Sequence, residues 1–433
     1  MLTPQARPAD VTKTRPPLKR IDASDFVSGD ALGRVSQADG APLRVAIVGL
    51  GLAGAGMVRA LVDHSGCVLA GAADPNELLR QRFSSDFDCA VYADIRDLVA
   101  SDDIDAVYLA TPHQFHKDHA VLAAEHGKHI IVEKPMALTV SDCQQMIDAA
   151  ERNGVALVVG HTHAFDPIVE TMANVIASGR LGRLSMITMM NYTNFLYRPR
   201  RPEELDSARG GGILFNQVPH QVDTARFLAR SPVSTVRAHT TVHDKDRPTE
   251  GSCSAFLSFD NGVVASLVYS GYDFFDSDEL CDWVGENGQP KSAAHGDTRK
   301  ALAQLGGSDH ERRARSESYG YGGERRRVPQ QGQASGQPHF GVLVVSCEKG
   351  DMRPGRDGVL LYDDTGVSEI PLSPVDGTYG RNEVLDELWR AVRGTTAIVR
   401  DGHFGKDTVS TCLAIQASAN ENREIQISPT AKT

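Results

Sequence analysis

Residues 43–54 read Leu-Arg-Val-Ala-Ile-Val-Gly-Leu-Gly-Leu-Ala-Gly, an apolar run that ends in a glycine-rich turn. The first six residues are typical of a buried strand, and the residues after Gly54 continue as a helix-forming stretch. Glycine at 49 permits a tight turn, glycine at 51 lets a pyrophosphate approach the backbone, and glycine at 54 lets the helix pack on the strand. The pattern predicts a dinucleotide-binding unit with phosphates at the helix N-terminus.

A second strand, predicted at 68–73, places Asp74 twenty residues after Gly54. A carboxylate at that spacing accepts hydrogen bonds from the ribose 2′-hydroxyl and repels a 2′-phosphate. We therefore expect NAD as the cofactor and NADP less readily, although Arg80 and Arg82 are close in sequence. The predicted cofactor-binding residues are Gly49, Gly51, Leu52, Ala53, Gly54, Asp74, Thr111, Pro112, His113, His116, Glu133 and Lys134.

Further strands alternate with predicted helices, which indicates a parallel sheet wound on both sides. These strands are predicted at 106–110, 130–132 and 155–160, and they are followed by the segments 111–116, 133–135 and 161–163. Ligands of such sheets bind at the carboxyl ends of the strands, so we expect these segments to share one cleft. Lys134 would then lie beside the reactive ring of the cofactor.

Composition sets broad limits. A chain of 433 residues that is 41% hydrophobic can form two domains, and its net charge of −11 disfavours a nucleic-acid binder. Seven scattered cysteines without Cys-x-x-Cys spacing predict reduced thiols. Because no apolar run approaches the length of a membrane span, we expect a cytoplasmic protein. Residues 1–42 lack periodicity and predict a flexible N-terminal arm.

Three histidines follow the strand predicted at 106–110, at positions 113, 116 and 119. This spacing can place side chains on one helical face, but neither a carboxylate nor a cysteine completes a recognisable ligand set. We predict no metal. We expect His113 and His116 to line the nicotinamide end of the cleft and His119 to lie on a helix surface.

Residues 210–223 contain three successive glycines and then a predicted helix that carries His220 and Asp223. Together with the turn at 49–54, the Glu-Lys-Pro sequence at 133–135 and the segment 111–116, this order of motifs resembles the Gfo/Idh/MocA oxidoreductases over roughly residues 43–427. The resemblance implies an α/β protein with a Rossmann dinucleotide-binding domain at 43–162. It also implies a C-terminal α/β domain at 163–433, whose large, open, mostly antiparallel sheet commonly forms the interface of a homo-dimer or homo-tetramer.

The same resemblance implies that Lys134 and His220 are the catalytic pair. His220 suits proton removal from a hydroxyl, because its reference pKa is about 6.5. Lys134 would orient that hydroxyl and stabilise negative charge on its oxygen. Many sugar and cyclitol members have an aspartate where this chain has Asn216, and an amide only forms hydrogen bonds. Asp223 either orients a ligand or His220, or caps structure.

The segment 192–204 contains three arginines, Arg198, Arg200 and Arg201, which we call the arginine loop (198–201). Arginines can clamp carboxylates through paired hydrogen bonds, although a basic surface loop is an alternative. Phe195 and Tyr197 favour a flat acidic ligand. With 161–167 and 216–220, this segment is similar to the phthalate dihydrodiol dehydrogenase (4,5-dihydroxyphthalate dehydrogenase) branch of the family. The substrate-binding residues predicted on this basis are His163, Tyr197, Arg198, Arg200, Arg201, Asn216, His220 and Asp223.

The branch resemblance implies oxidation of cis-4,5-dihydroxy-4,5-dihydrophthalate to 4,5-dihydroxyphthalate with reduction of NAD, in phthalate degradation. Two alternatives remain. One is an NAD(P)-dependent sugar or cyclitol dehydrogenase, disfavoured by Asn216 and the arginine loop. The other is a non-catalytic, cofactor-sensing regulator, disfavoured by the presence of both Lys134 and His220.

Residues 286–338 are rich in Gly, Ser, Gln and Arg. This composition predicts a long insertion in the second domain, with a short helix at 298–305. We interpret the insertion as a mobile lid or an intersubunit arm.

Overall fold

The computed structural model describes residues 18–26, 40–160, 162–323, 336–373 and 380–427. Most of the predicted N-terminal arm, His161 and part of the insertion lie outside the described residues. The described residues form two β-sheets with helices packed against each. Among them, no helix is long and apolar enough to cross a membrane.

The first described segment packs on the second sheet. Strand β1 (Lys19–Arg20) pairs in parallel with the edge strand of that sheet, and a 3-10 helix (Ala23–Phe26) follows. Phe26 is buried in the hydrophobic core of the second domain, beneath the guanidinium of Arg180. Residues 18–26 therefore differ from the flexible arm that was predicted, because one aromatic side chain holds them against the sheet.

The first domain is a six-stranded parallel sheet in the order β4-β3-β2-β5-β6-β7. Its elements are β2 (Leu43–Val48), α1 (Leu52–Asp63), β3 (Cys67–Ala73), α2 (Glu77–Phe87), β4 (Ala90–Tyr92), α3 (Ile95–Val99), β5 (Ala106–Leu109), α4 (His116–Glu125), β6 (His129–Val132), α5 (Val140–Arg152) and β7 (Leu157–Val159). Helices cover both faces, so the central strands β2, β5 and β6 are apolar except at Arg44 and His129. The predicted Rossmann fold is confirmed.

The second domain is built on a ten-stranded sheet in the order β1-β15-β14-β13-β12-β8-β11-β10-β9-β16. The remaining elements are α6 (Pro167–Ala177), β8 (Leu184–Tyr192), α7 (Gly212–Asn216), α8 (Val218–Ala229), β9 (Val233–Thr241), β10 (Ser252–Phe259), β11 (Val264–Ser270), α9 (Asp297–Ala303), α10 (Ser308–Tyr319), β12 (Val342–Cys347), β13 (Gly350–Pro354), β14 (Gly358–Asp363), β15 (Gly366–Pro371), α11 (Arg381–Val392), α12 (Gly402–Glu421) and β16 (Ile425–Gln426). Pairing is antiparallel except between β8 and β11 and between β1 and β15. The predicted open, mostly antiparallel sheet is confirmed.

One face of this sheet forms the core of the second domain. Ala265, Leu267 and Tyr269 of β11 alternate with half-buried residues, as a sheet covered on one side requires. Helices α6 and α8 pack on the covered face. Because β8 belongs to this sheet, the segment that leaves its end carries the arginine loop toward the first domain.

Helix α11 packs in the core of the first domain, although the sequence analysis assigned all of 163–433 to the second. Its Val384, Leu388 and Trp389 are buried in the same cluster as β2 and α1. Helix α12 contacts α5 of the first domain and both α8 and β9 of the second. An amphipathic pattern predicts that a helix has a buried face but does not identify the sheet that it covers.

The described part of the insertion contains α9, close to the helix predicted at 298–305, and α10, which was not predicted. The carboxylate of Glu311 on α10 accepts hydrogen bonds from both terminal nitrogens of Arg247, at 2.7 and 2.9 Å. Beyond α10, the backbone N–H of Tyr321 donates to the carbonyl of Leu50 at 2.9 Å. The insertion thus reaches from the second domain to the glycine-rich turn of the first.

Candidate active site

Three turns meet where β2, β5 and β6 end. Backbone hydrogen bonds join these strands at their carboxyl ends, from Ala110 N–H to the carbonyl of Val48 at 2.8 Å and from Glu133 N–H to that of Leu109 at 3.0 Å. The segments 111–116 and 133–135 therefore lie next to the glycine-rich turn, as predicted from the parallel sheet. The peptide bond between Lys134 and Pro135 is cis.

In the glycine-rich turn, close contacts with the protein's own backbone require glycine at 49 and 54 but not at 51. A Cβ at Gly49, where φ is 97°, would lie 2.7 Å from the carbonyl oxygen of Ala110, and a Cβ at Gly54 would lie 1.9 Å from that of Gly49. Among the described residues, no atom lies within 4 Å of a Cβ placed at Gly51. Glycine at 51 therefore leaves room for a ligand rather than for the protein's own backbone.

The start of α1 fits an anion. Gly51 is its N-cap, and within the described part of the chain no side chain caps it. Leu52 and Ala53 form its first turn, where backbone N–H groups have no partner within the helix. The turn and α1 thus have the donors and the free space that the pyrophosphate of NAD needs.

Asp74 lies at the end of β3, beside the glycine-rich turn. Its carboxylate accepts hydrogen bonds from the backbone N–H groups of Leu50 and Asn76, each at 2.8 Å. A carboxylate has about four acceptor positions, so it can also accept from the ribose hydroxyls. The guanidinium of Arg80 donates to the carbonyl oxygens of Asp74 and Pro75, at 2.7 and 2.9 Å. Arg80 therefore braces this turn, and Asp74 supplies the negative charge that favours NAD.

His116 does not line the cleft as predicted. It is fully buried, and its two ring nitrogens lie 3.0 Å from the carbonyl oxygen of Pro135 and 2.9 Å from that of Thr111. A neutral imidazole can donate to one of these carbonyls at a time. His116 thus ties the Lys134–Pro135 turn to the end of β5. Within the described ranges, no group of three or more His, Cys, Asp or Glu side chains is arranged to hold a metal ion.

His113 and Glu133 border the same turn. Burial, with the charges of His116 and Lys134, lowers the pKa of His113 to about 3, so its ring is neutral near pH 7. His113 lies against the turn at Gly210, because a Cβ on that glycine would be 3.2 Å from its Nδ1. The carboxylate of Glu133 accepts a short hydrogen bond from the hydroxyl of Tyr108. Both residues support the turn that carries Lys134.

Lys134 reaches across the domain boundary to α7. Its Nζ donates to the carbonyl oxygen of Asn216 at 2.8 Å. Burial lowers the pKa of Lys134, against the attraction of Glu133, and the charge of Arg200 lowers it further. A lysine that is partly desolvated and held by one backbone carbonyl retains donors for a substrate oxygen.

His220 lies on the first turn of α8, four residues after Asn216, and it is buried. Its ring packs against His163 and Phe340, with centroids 5.0 and 4.8 Å away. Nδ1 of His163 donates to the buried carboxylate of Asp166 at 2.6 Å. Tyr269 stacks on Phe340 at 6.0 Å. These four rings pack against one another, and we call them the aromatic wall (His163, His220, Tyr269 and Phe340).

Asn216 and Asp223 are held by the protein itself. The amide of Asn216 donates to the carbonyl oxygens of Gly210 and Gly212, at 3.1 and 2.8 Å, and so closes the turn before α7. Asp223 is buried, and its carboxylate accepts a short hydrogen bond from Thr408 of α12. Burial raises the pKa of Asp223 to about 6. Both side chains thus have hydrogen-bond partners within the protein, and contact of either one with a substrate stays a prediction.

The three arginines of the arginine loop have different partners. The guanidinium of Arg200 donates to the carbonyl oxygen of Phe195 at 2.7 Å and pairs with Glu204. Arg201 pairs with Glu203 and Glu204. Arg198 has other partners: its Nε donates to the side-chain oxygen of Asn194 at 2.7 Å, and its Nη2 lies 3.9 Å from the carboxylate of Glu286. The three arginines therefore do not form the clamp that was predicted.

Tyr197, also predicted to bind substrate, is buried and has partners within the protein. Its hydroxyl donates to Asp244 at 2.6 Å, and the guanidinium of Arg299 lies 4.0 Å from its ring centroid. Burial and the hydrogen bond to Asp244 raise the pKa of Tyr197 to about 12. Tyr197 thus anchors α9 of the insertion to the second domain.

Sequence reasoning missed Glu286, Tyr269 and Phe340. Tyr269 is an ordinary inward residue of an alternating strand, so nothing in the pattern marks it as part of a site. Glu286 and Phe340 lie at the two ends of the insertion, where composition predicted only irregular structure. One signal could have brought these two residues together: the chain leaves the sheet at one end of an insertion and returns to the same sheet at the other, so the two ends lie close in space.

Comparisons with known proteins agree with this geometry. Residues 43–161 match an oxidoreductase family with an NAD-binding Rossmann fold, and residues 169–289 match the GFO/IDH/MocA C-terminal domain. A 1-carboxy-3-chloro-3,4-dihydroxycyclohexa-1,5-diene dehydrogenase from Comamonas testosteroni is 40% identical, over 86% of this chain and 94% of its own. Inositol 2-dehydrogenase 2 from Saccharopolyspora erythraea is 31% identical, over 57% of this chain and 72% of its own.

Solved structures share the fold. A dehydrogenase from Bordetella bronchiseptica RB50 has a TM-score of 0.85 at 44% identity, covering 89% of this chain and 100% of that one. An oxidoreductase from Agrobacterium radiobacter, solved with NAD+, L-tartaric acid and magnesium, has a TM-score of 0.66 at 18% identity, covering 89% and 98%. The predicted family is confirmed, and so is an enzyme rather than the non-catalytic regulator: the chain belongs to the Gfo/Idh/MocA family of NAD-dependent oxidoreductases.

Proposed function

We propose that the protein oxidises a cyclic cis-diol that bears a ring carboxylate, with NAD as the hydride acceptor. The proposal is supported by one arrangement: Lys134 donates to the carbonyl of Asn216 on α7, and His220 follows on α8 with its ring packed against the aromatic wall. The carboxylate of Glu286, 3.9 Å from Arg198, is close enough for its charge to act on Lys134. This combination offers a proton acceptor, a cation for the reacting oxygen, a cation for a carboxylate and a flat surface for a ring.

Bound NAD would supply the hydride acceptor, held by the turn at 49–54 and Asp74. His220 accepts the hydroxyl proton as the C–H hydride leaves the same carbon, so a C=O bond forms. The ammonium of Lys134 stabilises the negative charge that develops on that oxygen. Removing one hydride from a cyclohexadiene cis-diol gives a ketone that enolises to a catechol, and aromaticity then favours the forward direction.

The aromatic wall favours a planar ring over a saturated sugar. Tyr269 is fixed by hydrogen bonds of its hydroxyl to Thr193 at 2.6 Å and to Gln217 at 3.1 Å. Phe340 packs between this ring and the two histidines. A rigid set of aromatic faces stacks on an unsaturated ring with little loss of side-chain entropy.

Arg198 is the residue of the arginine loop that we assign to the ring carboxylate. cis-4,5-Dihydroxy-4,5-dihydrophthalate is the specific substrate that we propose, and the Comamonas relative is named for another carboxylated cyclohexadiene diol. Arg200 and Arg201 lie 3.3–3.4 Å from the carboxylates of Glu203 and Glu204, whereas Arg198 lies 3.9 Å from that of Glu286. One carboxylate of the phthalate diol would therefore bind Arg198, and the other would face solvent.

A cyclitol is the second candidate. The inositol dehydrogenase from Saccharopolyspora erythraea and the carboxylate of Glu286, an acceptor for hydroxyl groups, favour it. The predicted homo-dimer or homo-tetramer and cytoplasmic location belong to the proposal as well. Met186 and Phe256 are exposed on the outer face of the ten-stranded sheet, which suits an oligomer interface, and light scattering in solution would measure its size.

The test is to incubate the protein with NAD and a panel of carboxylated cis-dihydrodiols, uncarboxylated cis-dihydrodiols, cyclitols and sugars, and to follow the absorbance of reduced nicotinamide. We expect the highest kcat/KM with a carboxylated cis-dihydrodiol. Turnover of a neutral cyclitol or sugar, with none of any carboxylated diol, would refute the proposed substrate class.

A further inference from the structure

Glu286 is a charged side chain near Arg198 that has no role in the proposed oxidation of a carboxylated diol. Its Oε2 lies 3.9 Å from Nη2 of Arg198. Its Oε1 is shielded from solvent and accepts no hydrogen bond from the described residues. A shielded carboxylate oxygen without a donor is unfavourable, so this atom is suited to a donor brought by a ligand.

Glu286 is ionised in this position. Burial opposes its ionisation, but the charges of Arg198 and then His163 outweigh burial and lower its pKa. An ionised carboxylate only accepts hydrogen bonds, so its natural ligand partner is a hydroxyl or an amine. Glu286 is also near enough to Lys134 for its charge to act on that ammonium.

A closed turn holds Glu286 in place. Val284 forms an isolated bridge with Pro290, and the N–H of Gly285 donates to the carbonyl of Gln289 at 2.8 Å. The carbonyl of Glu286 accepts from the backbone N–H of His339 at 3.2 Å, which ties the turn to the segment before β12. The turn therefore presents the carboxylate from a fixed backbone, as a specific binding group requires.

We propose that Glu286 accepts a hydrogen bond from the second, non-reacting hydroxyl of the substrate and so determines specificity for vicinal diols over simple alcohols. With the reacting hydroxyl at Lys134 and a ring carboxylate at Arg198, a neighbouring hydroxyl has Glu286 as its acceptor. The inference rests on the proposed function for the identity of the ring, but it concerns a different part of the substrate.

Glu286 also explains how an anionic substrate can bind near an acidic side chain. A bare carboxylate would repel the substrate, whereas a hydroxyl donor satisfies Glu286, and the guanidinium of Arg198 attracts the carboxylates on either side of it. The site thus selects a ligand by two features at once, an anionic group and a hydroxyl donor. A carboxylated ring without the second hydroxyl leaves Glu286 unsatisfied.

The experiment measures kcat/KM for two pairs of substrates with the wild-type protein, Glu286→Ala and Glu286→Gln. One pair is a carboxylated cis-dihydrodiol and the same ring with a single hydroxyl; the other is a cyclitol and its deoxy analogue. We expect the wild type to prefer the diol by roughly 10- to 100-fold, the range for a hydrogen bond to a charged group. Glu286→Ala should bring the ratio near one, mainly by weakening the diol, and Glu286→Gln should lower it less.

Glu279→Gln is the matched control, because Glu279 precedes the same turn but pairs with His295 in an exposed position. It should keep the wild-type ratio. Thermal midpoints and titration with reduced NAD show whether each variant folds and binds cofactor, and Glu286→Gln conserves the side-chain volume.

The outcomes separate the two proposals. A Glu286→Ala variant that lowers kcat/KM equally for both members of a pair, or leaves the ratio unchanged, overturns the role of Glu286 and leaves the proposed function intact. Turnover of the cyclitol pair alone refutes the proposed function, and the cyclitol ratio then decides the role of Glu286. A wild type that oxidises neither pair overturns both.

Discussion

The glycine-rich turn at 49–54 and the arginine loop at 198–201 both border the cleft, but different interactions hold them. Backbone contacts dictate the turn: a side chain at Gly49 or Gly54 would collide with a carbonyl oxygen. The arginine loop is held by ion pairs: Arg200 pairs with Glu204, and Arg198 pairs with Glu286. Glu286 is distant in sequence from Arg198, and Glu204 has a second, distant partner in Arg315. The geometry of the glycine-rich turn can therefore be predicted from its sequence, because backbone contacts fix it. The geometry of the arginine loop cannot, because it depends on which carboxylates pair with the arginines.

The largest expected effect is at the two residues placed by the motifs. Lys134→Ala and His220→Ala should each lower kcat by about 10²–10⁴-fold, because each removes a group that acts on the reacting hydroxyl. Affinity for NAD, measured by fluorescence titration, should stay within about twofold. Wild-type turnover in either variant would remove that residue from the mechanism. Lys128→Ala, away from the cleft, is the control for lysine removal.

The arginine loop gives the next largest effect and sharpens the comparison. Arg198→Ala should raise KM for a carboxylated diol by about 10-fold or more, because a charge-assisted hydrogen bond is lost. Arg201→Ala should leave KM unchanged, since its partners are Glu203 and Glu204. Arg200→Ala should lower the thermal midpoint, because it leaves the carbonyl of Phe195 and the carboxylate of Glu204 without this partner. An equal increase in KM in all three variants would support the predicted carboxylate clamp of three arginines and contradict the assignment to Arg198 alone.

The glycines test the other side of the comparison. Gly51→Ala should keep the fold and weaken NAD binding, by about 10-fold if the added methyl group displaces the pyrophosphate. Gly54→Ala should instead lower the thermal midpoint, because its Cβ would lie 1.9 Å from the carbonyl oxygen of Gly49. Calorimetric titration with NAD and thermal melts distinguish the two. Unchanged NAD affinity in Gly51→Ala would show that the open space there is not the cofactor site.

The last prediction concerns stability rather than turnover, and its effect is confined to acid pH. The folded-state pKa of Asp223, about 6, is above its unfolded value near 4, so the folded protein binds more protons between these values. Asp223 therefore lowers the free energy of unfolding as pH rises from 4 to 6, by on the order of 2–3 kcal/mol. Denaturant titrations of Asp223→Asn should show a gain in stability relative to wild type across this window. The exposed Asp260→Asn is the control, and a constant difference for Asp223→Asn would contradict the account.

Much of the fold could be predicted from the sequence, because strand periodicity and the glycine spacing are local. The convergence of 111–116 and 133–135 followed from the rule that parallel strands end at one edge. The roles of Asn216, Asp223 and His116 could not be predicted in this way. Each depends on a particular hydrogen-bond partner, a backbone carbonyl for Asn216 and His116 and the hydroxyl of Thr408 for Asp223. Residue type alone does not reveal whether such a partner lies within reach.

The first-domain position of α11 and the cleft position of Glu286 were missed for the same reason. The buried face of α11 fits either sheet, and only its packing against α1 and β7 decides between them. Glu286 is one of many acidic residues in a segment of irregular composition. Its turn closes through backbone hydrogen bonds to Gln289 and His339, which no periodic pattern encodes.

The central claim is that hydride passes to NAD from the carbinol carbon of a carboxylated cis-diol held at Lys134 and His220. It is tested most directly with such a diol deuterated at its carbinol carbons, followed by mass spectrometry of the recovered cofactor. The account predicts one deuterium per reduced nicotinamide with the wild-type protein and no reduction with Lys134→Ala. Reduced cofactor without deuterium, or no reduction by the wild type, would contradict it.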